Sequence, residues 1–313
     1  MTLTIGVDVG GTKVAAGVVD QGGRVLQEVQ RPTPSSSPET AEVIAAAVET
    51  LRAEHEVAAV GIGAAGFVDE SRSVVRFAPN LAWRDEPLRA EVRARVGLPV
   101  VVENDANAMA WGEARFGAGR GEDHLLAVTV GTGIGGGMVI CGELYRGRFG
   151  IAAEVGHLRV VPGGRRCGCG NAGCWEQYAS GRALVRQAQE LAAVSPLVGA
   201  RLLELGGSPA GIDGPHVTRA AAEGDPAAVE CLAAVGGWLG QGLADLAAVL
   251  DPGVFVVGGG VSAAGELLLE PARTAYAGAL TGRGHRPMAE IRVAELGQQA
   301  GIVGAADLAR RKS

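Results

Sequence analysis

Between Glu154 and Glu176 the chain reads EVGHLRVVPGGRRCGCGNAGCWE, which holds one histidine, His157, and three of the five cysteines, Cys167, Cys169 and Cys174. The spacing is H-x9-C-x-C-x4-C. One imidazole with three thiolates is a ligand set of structural zinc sites, closed at four ligands. C-x-C is tighter than the usual C-x2-C knuckle, but the glycines of CGCGNAGC permit sharp turns. Three cysteines cannot all pair with one another as disulfides, and no second cluster suggests an iron–sulfur centre. A shell filled by protein ligands leaves no place for water, so the metal is expected to be scaffold rather than chemistry. It would fix Glu154 and Glu176, whose carboxylates can accept hydrogen bonds from neighbouring hydroxyls, as in reading a polyol. If one ring nitrogen of His157 binds metal, the other is held in a defined direction and can face the same ligand. Cys141 and Cys231 sit in apolar contexts and are expected to be buried packing residues. His55, His124, His216 and His285 show no constellation and are expected at the surface.

Three glycine turns point to a second kind of chemistry. DVGGTK places Asp8, Gly10, Gly11, Thr12 and Lys13 on one strand-to-strand turn. Glycines let the backbone approach an anion, and successive N–H groups can form a nest for it. Asp8 could hold Mg²⁺ through water, since that ion keeps several waters and takes one or two carboxylates. A plain hairpin turn is the alternative. GTGIGGG, residues 131–137, matches G-x-G-x-x-G at Gly131, Gly133 and Gly136. A dinucleotide fingerprint should open a helix, whereas MVI reads as strand, so that reading is rejected. The Walker A pattern is absent too. What remains is a second phosphate hairpin, with Thr132 and Gly133 at its turn. VFVVGGGVS adds Gly258, Gly259 and Gly260 between a buried strand and a helix, suited to lie against a base or ribose. Three such turns, each after a buried strand, are hard to explain as folding alone.

VVVENDANAMA sets Asn104 and Asp105 where a buried strand meets a helix, a frequent functional position in α/β folds. Two readings stay open. Asp105 is either the helix N-cap, a role aspartate favours, or a base that accepts a proton from an attacking hydroxyl.

The elements that carry these residues follow from periodicity. Residues 3–9, 14–19 and 25–31 read as strands, 39–54 as helix, 58–64 as a short buried strand and 86–96 as helix. LPVVVEN is a strand and residues 105–116 a helix. Residues 125–130 open a second block: strand, turn, then strand from 138. IGVDVGGTKVAAGVV and LAVTVGTGIGGGMVI share one plan, which suggests duplication. Helices are expected at 177–193, 217–223, 227–250, 262–280 and 302–311, and strands at 254–257 and 291–296. Mixed strands and helices give an α/β class. The boundary is expected near 117–121: a small N-terminal α/β lobe, 1–120, rejoined by a C-terminal helix, 301–313, and a large α/β lobe, 121–300, carrying a zinc loop at 157–176.

With 313 residues there is room for roughly two domains of ~150. The net charge of −6 argues against a nucleic-acid module, which would show a basic face. Lys13 and Lys312 are the only lysines. The opening MTLTIGVDVGG has no basic n-region and no apolar core of a secretory signal. The long apolar stretch 227–250 is interrupted by Glu230, Gln241 and Asp245 and is expected to be a buried helix, not a membrane span. A reduced, cytoplasmic protein without membrane or nucleic-acid partners is expected.

DVGGTK, ENDAN, VGTGIGGGMVICGELYRGRFGIAAEVGH, CGCGNAGCWE and VVGGGVS together resemble, in order and over nearly the whole chain, the ROK family of bacterial sugar kinases and related repressors. The resemblance is strongest to its zinc-containing glucokinase branch. It implies a two-lobed actin/hexokinase-like ATPase fold, a duplicated mixed sheet flanked by helices with a zinc-binding loop. It implies transfer of the γ-phosphate of ATP to the 6-hydroxyl of glucose, with catalytic Mg²⁺, structural Zn²⁺ and a homo-oligomer, dimer or tetramer. Asp105 would be the general base. Asn104, Asp105, Glu154, His157 and Glu176 would bind the sugar, with Gly66 of the AAGF turn and Asn80. Asp8, Gly10, Gly11, Thr12, Lys13, Thr132 and Gly133 would meet Mg²⁺ and phosphates, and Gly258, Gly259 and Gly260 the adenosine side. His157, Cys167, Cys169 and Cys174 would hold the zinc. A kinase for N-acetylglucosamine, mannose or fructose is the alternative. A sugar-sensing regulator would need a helix-turn-helix before the first strand, which begins here at Leu3.

Overall fold

The computed structural model describes residues 2–34, 36–78, 81 and 83–311. It divides into two compact units, each described by itself: residues 1–127, 136–153 and 294–313, then residues 128–135 and 154–293. The first unit therefore takes residues 136–153 and begins its return at 294, against the expected 1–120 and 301–313.

The chain opens with β1 (Leu3–Val9), β2 (Lys13–Val19) and β3 (Val25–Pro32), followed by α1 (Ser37–Arg52) and β4 (Val57–Ala64). Three short strands, β5 (Phe67–Val68), β6 (Val75–Phe77) and β7 (Arg84–Glu86), form a small antiparallel sheet of their own. Then come α2 (Leu88–Val96), β8 (Val100–Asn104), α3 (Asp105–Phe116), β9 (Leu125–Val130), β10 (Ile134–Ile140) and β11 (Glu143–Tyr145). The main sheet of the first unit has the order β3-β2-β1-β4-β8. β1 and β2 pair antiparallel, whereas β4 and β8 run parallel beside β1. Apolar runs such as Ile5, Val7 and Val9 bury against Ile44, Val48 and Leu51 of α1, which removes apolar area from water at ~25 cal/mol per Å².

The second sheet repeats the plan, with order β11-β10-β9-β12-β13, where β12 is Val254–Gly258 and β13 is Glu290–Val293. An antiparallel hairpin followed by a parallel strand pair occurs in both sheets. The duplication read from the two glycine hairpins is thus a duplication of topology. β10 starts at Ile134, four residues before the expected strand at 138. Gly137 is required in the strand because α3 lies against it: a Cβ there would stand 2.7 Å from the carbonyl oxygen of Ala106.

The helices of the second unit are α4 (Glu176–Ala179), α5 (Gly181–Val194), α6 (Ala200–Gly206), α7 (Gly214–Ala222), α8 (Pro226–Leu250) and α9 (Glu266–Ala279). The helix expected over 177–193 is split at Ser180, which caps α5 by accepting the N–H of Ala183. The helix expected over 262–280 is likewise a 3-10 turn, Gly260–Ala264, then α9, with Gly265 at φ +59 between them. α8 has the length and composition of a membrane span but packs as a core helix against α9. A Cβ at Gly240 would lie 2.1 Å from the carbonyl oxygen of Ala272.

The closing helix α10 (Ala300–Arg310) returns to the first unit and lies on β1, β4 and α3. Gly6 and Gly61 are required there, since a Cβ at either would meet the α10 backbone at 1.8 Å.

Candidate functional site

In the first unit, α3 starts at Asp105, but its N-cap is Asn104, whose side chain accepts the N–H of Asn107 at 3.0 Å. The cap reading of Asp105 is therefore corrected, because the residue before it already satisfies the helix end. The Asp105 carboxylate accepts from its neighbours Ala106 N at 2.9 Å and Asn104 Nδ2 at 3.0 Å, both at Oδ1. Burial pushes its carboxyl above the ordinary range, against these hydrogen bonds. The same Asn104 amide donates to the carbonyl of Gly66 at 3.1 Å. Gly66 must be glycine, as a Cβ would meet the carbonyl oxygen of Phe77 at 2.5 Å. Asn80 lies outside the described residues.

The DVGGTK turn is in the same unit. Gly10 N donates to the carbonyl of Lys13 at 3.0 Å, closing the turn, and Thr33 Oγ1 donates to the carbonyl of Gly10. Gly11 and Thr12 are exposed, which leaves their backbone open to a ligand. Lys13 Nζ donates to Gln298 Oε1 at 3.1 Å. Asp8 ends β1 beside α10, where a Cβ at Gly301 would stand 3.2 Å from its carboxyl carbon. Burial, then the neighbouring Asp105, raise the Asp8 carboxyl to about 6, while Lys13 pulls it down. Two carboxylates that repel each other beside an open glycine turn are a fitting donor set for Mg²⁺.

In the second unit the loop 157–176 folds back on itself. Isolated bridges join Arg159 to Cys174 and Arg166 to Ala172, and Trp175 N donates to the carbonyl of Leu158 at 2.7 Å. This brings His157, Cys167, Cys169 and Cys174 together, with ligand atoms all within 4.8 Å of one another. His157 Nδ1 and Cys167 Sγ lie 3.7 Å apart, and Cys169 Sγ and Cys174 Sγ 3.6 Å. Ligands at ~2.0–2.3 Å around a tetrahedral zinc would stand about 3.5–3.8 Å apart, so the donor set fits that ion. Burial pushes the Cys167 thiol up to about 12, so its deprotonation needs a cation close by. Cys167 Sγ lies 3.2 Å from Glu176 Oε1, which sets the metal loop directly against the carboxylate beside it.

Gly133 belongs to this neighbourhood, for a Cβ there would lie 2.4 Å from Glu176 Oε2. Thr132 is on the same turn, which is closed by Gly131 N donating to the carbonyl of Gly133 at 3.0 Å. Glu154 precedes the 3-10 turn Val155–His157 and its carbonyl accepts the N–H of His157 at 3.1 Å. Gly258 ends β12. Gly259, at φ +91, packs against the backbone of Val130 with no room for a Cβ, which would stand 2.6 Å from its carbonyl oxygen. A Cβ at Gly260 would meet nothing within 4 Å.

A profile of the ROK family matches residues 4–312. The chain belongs to the ROK family. This ROK chain is 56% identical over 311 residues to a glucokinase of Streptomyces coelicolor, covering 99% of this chain and 98% of that one. A crystal structure of a ROK family glucokinase from Streptomyces griseus in complex with glucose and AMPPNP matches it with a TM-score of 0.92 and 57% identity over 99% of both chains. A ROK hexokinase from Thermus thermophilus matches with a TM-score of 0.80 and 39% identity, over 99% of both. The fold is that of ROK sugar kinases, mixed sheets flanked by helices.

Two expectations fail in detail. Cys141 is exposed, not buried, because it sits at φ +53 in the tight β10–β11 turn; Cys231 is buried as expected. His55 and His216 are partly buried, whereas His124 and His285 are exposed as expected; His216 Nδ1 accepts the N–H of Asp213, completing a capping box on α7. Sequence reasoning also missed Glu103, Arg72 and Arg146. Glu103 was legible as a charged residue inside the buried run VVVEN, but its partners are distant in sequence.

Proposed function

We propose that this ROK protein is a glucokinase, transferring the γ-phosphate of ATP to the 6-hydroxyl of glucose to give glucose 6-phosphate and ADP. The observation that carries this reading is the 56% identity to a glucokinase over nearly the full length of both chains. The likeness to a structure holding glucose and AMPPNP agrees with it.

In this reading Asp105 is the general base. Asn104 Nδ2 and Ala106 N both hold Oδ1, and we assign Oδ2 to the proton of the sugar hydroxyl. A carboxyl raised by burial is a better proton acceptor than a solvated one. Asn104, Asp105 and Gly66 with Asn80, and Glu154, His157 and Glu176, are assigned to the sugar. His157 Nδ1 faces the thiolates, so Nε2 is the nitrogen left for a hydroxyl. Gly10, Gly11, Thr12, Lys13, Thr132 and Gly133 are assigned to the phosphates, and Gly258, Gly259 and Gly260 to the adenosine side. Asp8 would hold Mg²⁺, which would offset phosphate charge during transfer. His157, Cys167, Cys169 and Cys174 would hold Zn²⁺, closed to water and therefore structural. None of the five cysteines is in a disulfide, and a cytoplasmic setting is proposed. A dimer or tetramer is proposed as the assembly.

The test is ADP release from ATP with glucose, mannose, fructose, N-acetylglucosamine and no sugar. Glucose should give the highest kcat/KM. A higher value for another hexose would overturn the substrate, and no sugar-dependent release would overturn the activity.

A further inference from the structure

We infer that Glu103 is a positioning residue for the base Asp105, locked in place by Arg72 and Arg146; this rests on the glucokinase reading for its kinetic part. Glu103 is 1% exposed at the end of β8, directly before Asn104 and Asp105. Its carboxylate forms ion pairs with Arg72 Nε at 3.0 Å and Arg146 Nε at 2.8 Å, both at Oε2, and Oε1 accepts a hydrogen bond from Arg146 Nε at 3.0 Å; both arginine side chains are also largely buried. Oε1 also accepts Asn104 N at 3.0 Å and Asn107 Nδ2 at 3.1 Å. Glu103 thus holds the backbone of the residue whose side chain caps α3, contacts Gly66 and donates to Asp105.

Packing alone would not call for this arrangement. A buried ion pair adds little to stability over an apolar core of the same volume, and the role assigned to this one is to fix geometry. Arg146 uses the rest of its fork on the carbonyls of Asp69, at 2.9 Å, and Glu70, at 3.1 Å. Its own carbonyl accepts Ala152 N at 3.1 Å, inside the segment that runs on toward Glu154. Arg72 sits at φ +57, a backbone conformation disfavoured for its residue type, with its carbonyl accepting Val102 N at 3.2 Å on β8. One carboxylate therefore ties the 69–72 turn and the start of the 146–153 segment to the strand end that carries the base. A lysine at 146 keeps the charge but cannot span a carboxylate and two carbonyls at once.

The test compares Glu103→Gln and Arg146→Lys with the parent protein. Arg146→Lys is included because Glu103→Gln leaves two buried guanidinium groups without a counter-charge and is the variant at risk of not folding. In the folded variants kcat with glucose should fall at least tenfold, with KM for ATP within twofold of the parent. The Asn104 backbone N–H should exchange with solvent at least tenfold faster. A folded variant with kcat within twofold of the parent overturns the positioning role. If the parent shows no sugar-dependent turnover, the glucokinase reading fails, and the Asn104 exchange rate alone decides the proposal; unchanged protection in Arg146→Lys overturns it.

Discussion

Placing alanine at Gly133 should damage sugar phosphorylation far more than it damages the fold. A Cβ at this position would stand 2.4 Å from Glu176 Oε2, about 1 Å short of the 3.4 Å where ordinary contact begins. The obstructing atom is the end of a side chain, so the carboxylate will give way rather than the backbone. Moving it off its rotamer costs about 0.5–1.5 kcal/mol, which lowers Tm by less than about 4 °C per kcal/mol in a chain this large. A positioning error near 1 Å, by contrast, costs about 10²-fold in rate, or about 2.7 kcal/mol. The assay is coupled ADP release with varied glucose, alongside thermal melting and zinc content. Gly133→Ala should lose about 10²-fold in kcat/KM for glucose while keeping its zinc. The route through Glu176 is checked in a Glu176→Ala background, where the methyl group has nothing to displace and should cost little more. Additive losses in the double variant, or a kcat/KM within threefold of the parent in the single one, would refute the reasoning.

Three further outcomes are expected. Asp105→Asn should lower kcat by about 10²–10⁴-fold, the usual span of general-base catalysis, without lowering Tm, because Asn104 rather than Asp105 caps α3; a kcat near that of the parent would remove the base assignment. Asp8 has a folded-state value of about 6 against 3.8 when free, so its contribution to stability is fully present below about pH 4 and is lost as pH rises through 6. Without added Mg²⁺, Asp8→Asn should therefore melt higher than the parent at pH 8 and not at pH 4; equal differences at both would contradict the shift. Trp175 is fully buried, donates to the carbonyl of Trp238 at 2.8 Å, and its ring fills the space a Cβ at Gly242 would need, at 2.1 Å. Gly242→Ala should cost about 1–3 kcal/mol by overpacking and weaken zinc retention against a chelator, since Trp175 lies between Cys174 and Glu176; unchanged retention would disconnect α8 from the metal loop.

What could be read in the chain followed from local rules. Apolar strands ending in glycine turns announced β1–β2 and β9–β10, and their shared pattern announced that two sheets are built alike. Four metal-ligating residues within eighteen announced His157, Cys167, Cys169 and Cys174, because one imidazole with three thiolates is a structural zinc set. The sequence-level ambiguity at Asp105 was also local, a choice between cap and base that neighbouring Asn104 decides once the helix start is seen.

Long-range contacts had to come from the tertiary structure. Nothing in the periodicity says that α10 lies on β1 and β4 close enough to demand glycine at Gly6 and Gly61, since that requirement arises from two backbones meeting across more than two hundred residues. The same holds for Glu103. As a sequence it is one acid in a buried strand; as a structure it is the point where Arg72 and Arg146 converge. Glu176 was legible as a carboxylate beside a metal loop, but its contact with Gly133 depends on how β9 and β10 turn beneath it. Composition and spacing determined which chemistries this protein carries the residues for. Folding alone decided which of those residues touch, because hydrogen bonds and steric contact act over a few ångströms and the chain brings distant residues that near only when it is packed.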